Sequence, residues 1–266
     1  PCSAAVISRC LGWTACILLC LVASLGRAEG PPQEPGTFRV PDLVEVATLD
    51  PTIRLEVRYA TPENFTGRAV YPEARVFLQR PAAEALVRVQ RALRGKGYGL
   101  LVFDGYRPWR ITKLFWDITP AEKRTFVADP AKGSKHNRGC AVDLSLVDLK
   151  SGKQVEMPGA YDEMSERSYP TYGGGTKGQR EARDVLRSAM EREGFFVYAY
   201  EWWHFDYMDW RSYPILDVPF SQIARSAPPR PPLDLARATV VDLTHPFDRT
   251  TLYWPTTIPK WRARSP

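Results

Sequence analysis

Between residues 80 and 97 the apolar positions fall at helical spacing. In RPAAEALVRVQRALRGKGYG, Ala85, Leu86, Val89 and Leu93 share one face. Pro81 suits a first helical turn, where its missing N–H is no loss, and Gly95 and Gly97 end the run. The same rhythm returns in GQREARDVLRSAMEREGF, with Val185, Leu186 and Met190 inward and Gly194 as the stop. Elsewhere the pattern is different. YGLLVFDGYRP is an apolar run closed by Asp-Gly and predicts a buried strand with a turn. CAVDLSLVDL predicts a second strand, followed by a turn at KSGKQV. The aromatic-rich FFVYAYEWWHFDYM reads as a single extended strand, and LVEVATLDPTIRLEVRYAT alternates enough to predict a short strand pair. Helices and strands mix without a regular βαβ alternation. The predicted class is therefore α+β, with helices packed on a largely antiparallel sheet.

The two ends break from this pattern. Arg9 is followed by the apolar run Leu11 to Leu25 and then by small residues at Gly26 and Ala28. That order of a basic start, an apolar stretch and a small-residue site predicts a secretory signal peptide cleaved after Ala28. The run is about 15 residues, short of the roughly 20 that span a bilayer, so no stable membrane span is expected once it is removed. Four of the five cysteines lie in this segment, and only Cys140 follows it. Export here therefore implies no internal disulfide. After it, EGPPQEPGTFRV predicts a flexible lead-in, and APPRPPLDLA, from Ala227 to Ala236, marks a linker.

Composition alters little. Hydrophobic content of 44% and charged content of 25% fit a globular chain with material for a core. The net charge of +6 raises the question of an anionic partner, but the basic residues are interspersed with acids and form no dense block. Nucleic-acid binding is not expected.

The chemistry starts from a scarcity. The chain has three histidines, His136, His204 and His245, and the first lies in the small-residue loop GSKHNRGCAVDLSL. Zinc takes imidazole nitrogen and carboxylate oxygen in a near-tetrahedral shell, and a catalytic site uses three protein ligands. His136, Asp143 at the opening of the next strand, and His204 from a distant strand make a sufficient set. Glu201, three residues before His204 in EWWH, is a candidate general base outside the ligand set. In an ideal strand those two positions point to opposite faces. A bulge, twist or turn near Trp202-Trp203 is thus required if both serve one site. Arg107, in FDGYRPW just past a strand end, is a candidate to stabilise an oxyanion, or else a structural ion pair with Asp104. Taken singly, each residue also has an ordinary reading: a solvated loop histidine, a strand-ending aspartate, polar neighbours of two core tryptophans.

Together, SKHNRGCAVDL and EWWHF resemble the Ser-x-His-x-x-Gly-x-Ala-x-Asp and Glu-x-x-His signatures of zinc D,D-peptidases with the hedgehog/D-Ala-D-Ala-peptidase fold. Within them the chain is most similar to the D-alanyl-D-alanine dipeptidases of the vancomycin-resistance type. YATPENFTGRAVY, GYGLLVFDGYRP, MSERS and LRSAMEREGF look like their segments in the same order, so the resemblance runs from about Ile53 to Tyr207. It implies one zinc ion on His136, Asp143 and His204, with Glu201 as the proton-transferring base and Arg107 steadying the transition state. It also implies substrate contacts at Ser134 and Tyr59, and at Asp162 a carboxylate that meets the free ammonium of D-Ala-D-Ala. That last role fits a dipeptidase, because a buried, unpaired charge is costly and longer chains are thereby excluded. A D,D-carboxypeptidase acting on longer wall peptides, or a non-catalytic zinc module, are the other readings.

Two features depart from the resistance-type pattern. Those enzymes act in the cytoplasm, whereas this chain carries an export-like start and is expected in the periplasm or outside the cell, scavenging or remodelling peptidoglycan fragments. In addition, VVDLTHPFDRTTLYWPTTIP resembles the opening of the cyclase family of metal-dependent hydrolases, which includes kynurenine formamidases. Their His-x-Gly-Thr-His-x-Asp motif does not follow, so His245 lacks a local partner, and a truncated fusion or a frame that ends early is expected. The expected plan is a signal peptide at 1–28, the lead-in at 29–40, the dipeptidase domain at 41–218, a Pro-rich linker at 219–237 and the cyclase-like tail at 238–266.

Overall fold

A computed structural model describes residues 30–226; the signal-like segment and the tail with His245 lie outside the described residues. In chain order the elements are β1 (Leu43–Glu45), α1 (Val46–Leu49), β2 (Arg54–Leu55), β3 (Phe77–Gln79), α2 (Arg80–Arg94), β4 (Tyr98–Asp104), α3 (Trp109–Ile118), β5 (Ala141–Asp148), α4 (Lys177–Arg192), β6 (Phe195–Tyr198), β7 (Glu201–Tyr207) and α5 (Phe220–Ser226). Five strands form one sheet in the order β2-β4-β5-β7-β6, and β1 pairs with β3 in a second, two-stranded sheet. Among the described strands only the β2–β4 contact is parallel, so the α+β, largely antiparallel architecture is present.

The two helices read from periodicity form as expected. Ala85, Leu86, Val89 and Leu93 of α2 are fully buried, as are Leu186 and Met190 of α4, while Val185 is half-buried. α2 packs on β4 and on α4. α4 begins with a reciprocal cap: Gln179 N–H donates to Thr176 Oγ1 at 3.2 Å, and Thr176 N–H donates to Gln179 Oε1 at 2.8 Å.

Four expectations are corrected. The segment 43–61 yields β1 and β2, but they do not pair with each other; β1 joins β3 and β2 joins β4, with α1 between them. FFVYAYEWWHFDYM is a hairpin, β6 and β7, rather than one strand. The lead-in is docked: Arg39 N–H donates to Ser212 O at 2.8 Å, Ile215 N–H donates to Glu34 Oε2 at 3.0 Å, and Glu34 also pairs with Arg138. Finally, the stretch expected as linker from residue 219 opens with α5. Its Phe220 and Ile223 are buried, and Phe220 meets the rings of Tyr71, Phe77 and Tyr106, so apolar burial extends the domain past residue 218. The rest of that linker lies outside the described residues. Among the described residues, no helix is long and apolar enough to cross a membrane.

Candidate metal centre and its pocket

Strand register brings the chemistry together. Asp104, Asp143 and His204 stand side by side across β4, β5 and β7, where Asp143 is the cross-strand partner of both. Directly opposed residues of an antiparallel pair share a face. An irregularity between Val102 and Asp104 in β4 shifts the register so that Asp104 meets Asp143.

His136 arrives from a short 3-10 turn, His136–Arg138, that precedes β5. The turn ends at Gly139 with φ 68°, and a Cβ there would collide with Leu43. Both facts favour glycine. Asn137 pins this turn: its Nδ2 donates to Arg107 O and Thr112 Oγ1, each at 2.8 Å, and its Oδ1 accepts from Ser134 N–H at 2.8 Å. Arg107 N–H in turn donates to His136 O at 3.1 Å. The histidine loop and the arginine loop are therefore one unit.

Three potential ligand atoms converge. Asp143 Oδ1 lies 3.0 Å from His204 Nδ1 and 3.3 Å from His136 Nε2, and the two nitrogens are 3.1 Å apart. Bonds of 2.0–2.2 Å at tetrahedral angles would separate such atoms by roughly 3.3–3.6 Å, so the triangle fits a small cation within a few tenths of an ångström. The far nitrogens support the same conclusion. His136 Nδ1 faces Gly105 O at 2.7 Å and His204 Nε2 faces Asp206 Oδ1 at 2.9 Å. Each of those nitrogens must donate, so in the neutral ring the inward nitrogen carries the lone pair. Asp143 Oδ1 is buried with no hydrogen-bond partner. Lone pairs meeting an orphaned carboxylate oxygen describe a cation site.

The electrostatics agree. Burial works against the Asp143 charge, yet His136 and His204 hold its carboxyl far below the usual range. Burial likewise opposes charge on His204, but Asp206 and Asp143 push its imidazole up to about 10. Acidic neighbours that bind a proton this firmly also favour a metal ion, and the two compete for Nδ1.

Glu201 supplies the irregularity that the spacing required. Val197 of β6 pairs with Phe205 of β7, but the next residue, Tyr198, pairs with Glu201. Trp202, Trp203 and His204 thus stand opposite no residue of β6. The bulge brings Glu201 Oε2 to 3.7 Å from His204 Nδ1, in the same cavity as the triad. Burial raises its carboxyl to about 8, with the His204 charge pulling the other way. That value suits a group that takes and returns a proton near neutrality.

Arg107 satisfies both of its readings. Its Nε and Nη2 bind Asp104 Oδ2 at 3.0 and 2.7 Å, yet the guanidinium also lines the cavity, with Nη2 3.7 Å from Asp143 Oδ2. Burial disfavours its charge, and Asp104 together with Tyr71, Tyr59 and Asp143 more than offsets that. Ser134 and Tyr59 line the same cavity; Ser134 Oγ accepts from His136 N–H at 3.2 Å. Asp162 is the one non-glycine residue with positive φ, at 60°, among those described. Its Oδ2 accepts from Tyr59 Oη at 2.9 Å, and burial followed by the Asp143 charge raises its carboxyl to about 7. All eight sequence-derived positions gather here. Reasoning from sequence missed Asn137, Asp206 and Tyr161, whose hydroxyl donates to Asp143 Oδ2 at 3.2 Å. Asp206 follows His204 by two residues on one strand, and that spacing was a signal open to use.

A triangle of two imidazoles and one carboxylate occurs in many metal sites. What narrows this one is the shielded glutamate held beside the ligands but outside their set, a build suited to a general base acting on metal-bound water. The comparison of sequences is more particular: the model of the family described as D-Ala-D-Ala dipeptidase, Peptidase_M15, matches residues 39–225, and the chain belongs to that family. It is similar to the D-alanyl-D-alanine dipeptidase of Escherichia coli strain K12, 34% identical over 180 residues that span 68% of this chain and 92% of that protein. The enzyme of the same name from Enterococcus faecium is 36% identical over 171 residues, covering 58% of this chain and 85% of that protein. Among solved structures, a vancomycin-resistance D,D-pentapeptidase VanY in complex with Zn(II) is 21% identical with a TM-score of 0.33, covering 50% of this chain and 73% of that one. A likeness at that TM-score bears on neither the site nor the substrate.

Proposed function

We propose that this protein is an exported zinc dipeptidase that hydrolyses D-Ala-D-Ala to two molecules of D-alanine. The observation that carries the reading is Asp162: a half-buried carboxylate, oriented by Tyr59, that faces the same cavity as Glu201, Arg107 and the ligand triangle. His136 Nε2, Asp143 Oδ1 and His204 Nδ1 would hold the metal. When bound, zinc supplies Lewis acidity, which polarises a carbonyl and makes water a nucleophile at neutral pH. The chain's own groups do the rest. Asp162 pairs with the substrate's free ammonium and so registers the dipeptide from its amino end. Glu201 takes a proton from the attacking water and returns it to the leaving amine. Arg107, locked by Asp104, offers a fixed positive charge to the developing oxyanion without having to reorganise.

Zinc is favoured by the mixed nitrogen and oxygen donor set. Export rests on the signal-like segment, and with it a role in scavenging or remodelling wall fragments. A D,D-carboxypeptidase would need the cavity open beyond the amino end of the dipeptide, and Asp162 turned into the cavity argues against that. One assay separates these readings: D-alanine release from D-Ala-D-Ala and from a pentapeptide ending in D-Ala-D-Ala, with and without chelator. We expect turnover of the dipeptide alone, abolished by chelator. Glu201→Ala should keep its zinc and lose about 10²–10⁴-fold in kcat. Turnover of the pentapeptide at a comparable rate, or a near-wild-type rate for Glu201→Ala, would overturn the reading.

A further inference from the structure

The metal triangle is one layer of a longer charge chain. His204 and Asp206 are two apart on β7 and therefore project from the same face. Asp206 Oδ1 lies 2.9 Å from His204 Nε2, on the side of the ring away from the ligand triangle. Its other oxygen, Oδ2, lies 3.4 Å from Lys135 Nζ. Lys135 is itself held over the rings of Tyr198, at 5.7 Å, and Trp210, at 5.5 Å. It also directly precedes His136, so its position is tied to the loop that supplies a second ligand. Asp206 is mostly shielded, with 15% of its side chain exposed, and Lys135 has 33% exposed.

We infer that Asp206 is a positioning residue for the metal centre, fixing His204 as the tautomer that binds through Nδ1, and that Lys135 sets how much negative charge Asp206 lends to that ring. This rests on the metal-centre reading above. A carboxylate that accepts the Nε2 proton fixes the ring's orientation and makes Nδ1 a better donor to a cation. The ammonium at the far oxygen draws part of that charge away and also adds a positive charge to the surroundings of the metal. The two residues therefore act in opposite directions. Removing the carboxylate weakens metal binding, and removing the ammonium strengthens it. A merely structural ion pair would behave otherwise, since loss of either partner would then loosen the same contact between the histidine loop and β7 and weaken binding in both variants.

The test measures zinc alone, by competition with a chromophoric chelator at one pH and without substrate. The wild-type protein, Asp206→Asn and Lys135→Met are compared, with circular dichroism to check folding. Stoichiometric zinc on the wild type upholds the underlying centre independently of this inference. We expect Asp206→Asn to raise the zinc Kd about 10–100-fold and Lys135→Met to lower it several-fold. Asp206→Glu, which keeps the charge, should recover part of the loss. ¹⁵N shifts of His204 in the zinc form should report a protonated Nε2 in the wild type. An Asp206→Asn Kd within twofold of wild type, or weakening in both Asp206→Asn and Lys135→Met, would overturn the inference.

Discussion

Asp162 carries the most distinctive residue-level consequence. Its left-handed backbone is tolerated because a short polar side chain reaches that region at modest cost. Its carboxyl is raised to about 7, by burial first and the Asp143 charge second. A raised pKa means that the neutral acid gains as pH falls, and a neutral acid does not pair with an ammonium. The KM for D-Ala-D-Ala should therefore climb as pH drops from 8 to 6, approaching tenfold per unit below the pKa. In Asp162→Asn the KM should be raised on the order of 10–100-fold at pH 8 and be flat with pH over that range. Initial-rate kinetics in both proteins decide the matter; a wild-type KM independent of pH would remove Asp162 from ammonium recognition. Legibility at this scale was high for types and low for partners. Scarcity made His136 and His204 visible, and EWWH exposed Glu201. Asn137 and Asp206 stayed hidden because an asparagine in a loop and an aspartate in a strand have many ordinary uses, and only their hydrogen bonds single them out.

At the scale of elements, the site depends on irregularities. The turn ending at Gly139 and the bulge in β7 each break a regular pattern in order to aim a ligand or a base. Gly139→Ala should cost about 2 kcal/mol or more, because a positive φ and a collision with Leu43 act together. Gly152→Ala is the matched control: φ is 69° there, yet a Cβ would meet nothing within 4 Å, so the strain acts alone. Urea midpoints should place Gly139→Ala clearly below Gly152→Ala; equal midpoints would mean that the Leu43 approach is unimportant. Helical periodicity and capping were readable because they are local. The β6–β7 hairpin was not, since Ala199-Tyr200 offers none of the glycine, proline or asparagine that usually marks a turn. The misassigned pairing of β1 and β2 has a similar cause: short strands state no preference of partner, and the larger sheet took β2 alongside β4.

On the scale of the whole molecule, burial decides where the domain ends. Phe220 of α5 is buried among Tyr71, Phe77 and Tyr106, which links the end of the described chain to residues more than a hundred positions earlier. Phe220→Ala should destabilise the fold by about 3–5 kcal/mol, read as a fall in the thermal or urea midpoint. A change below about 1 kcal/mol would return α5 to the status of linker. By itself the sequence determined the local and chemical content of this protein: two amphipathic helices, the buried strands, the ligand types, the need for a kink at Trp202-Trp203, and the signatures of its family. Those follow from periodicity and side-chain chemistry, which act over a few residues. Tertiary structure alone decided which strands pair, that Asp104, Asp143 and His204 fall in one row, and that Asp206 and Lys135 stand behind a ligand. Such choices depend on register and on contacts between distant segments, where packing of the entire core selects among pairings that are locally equivalent.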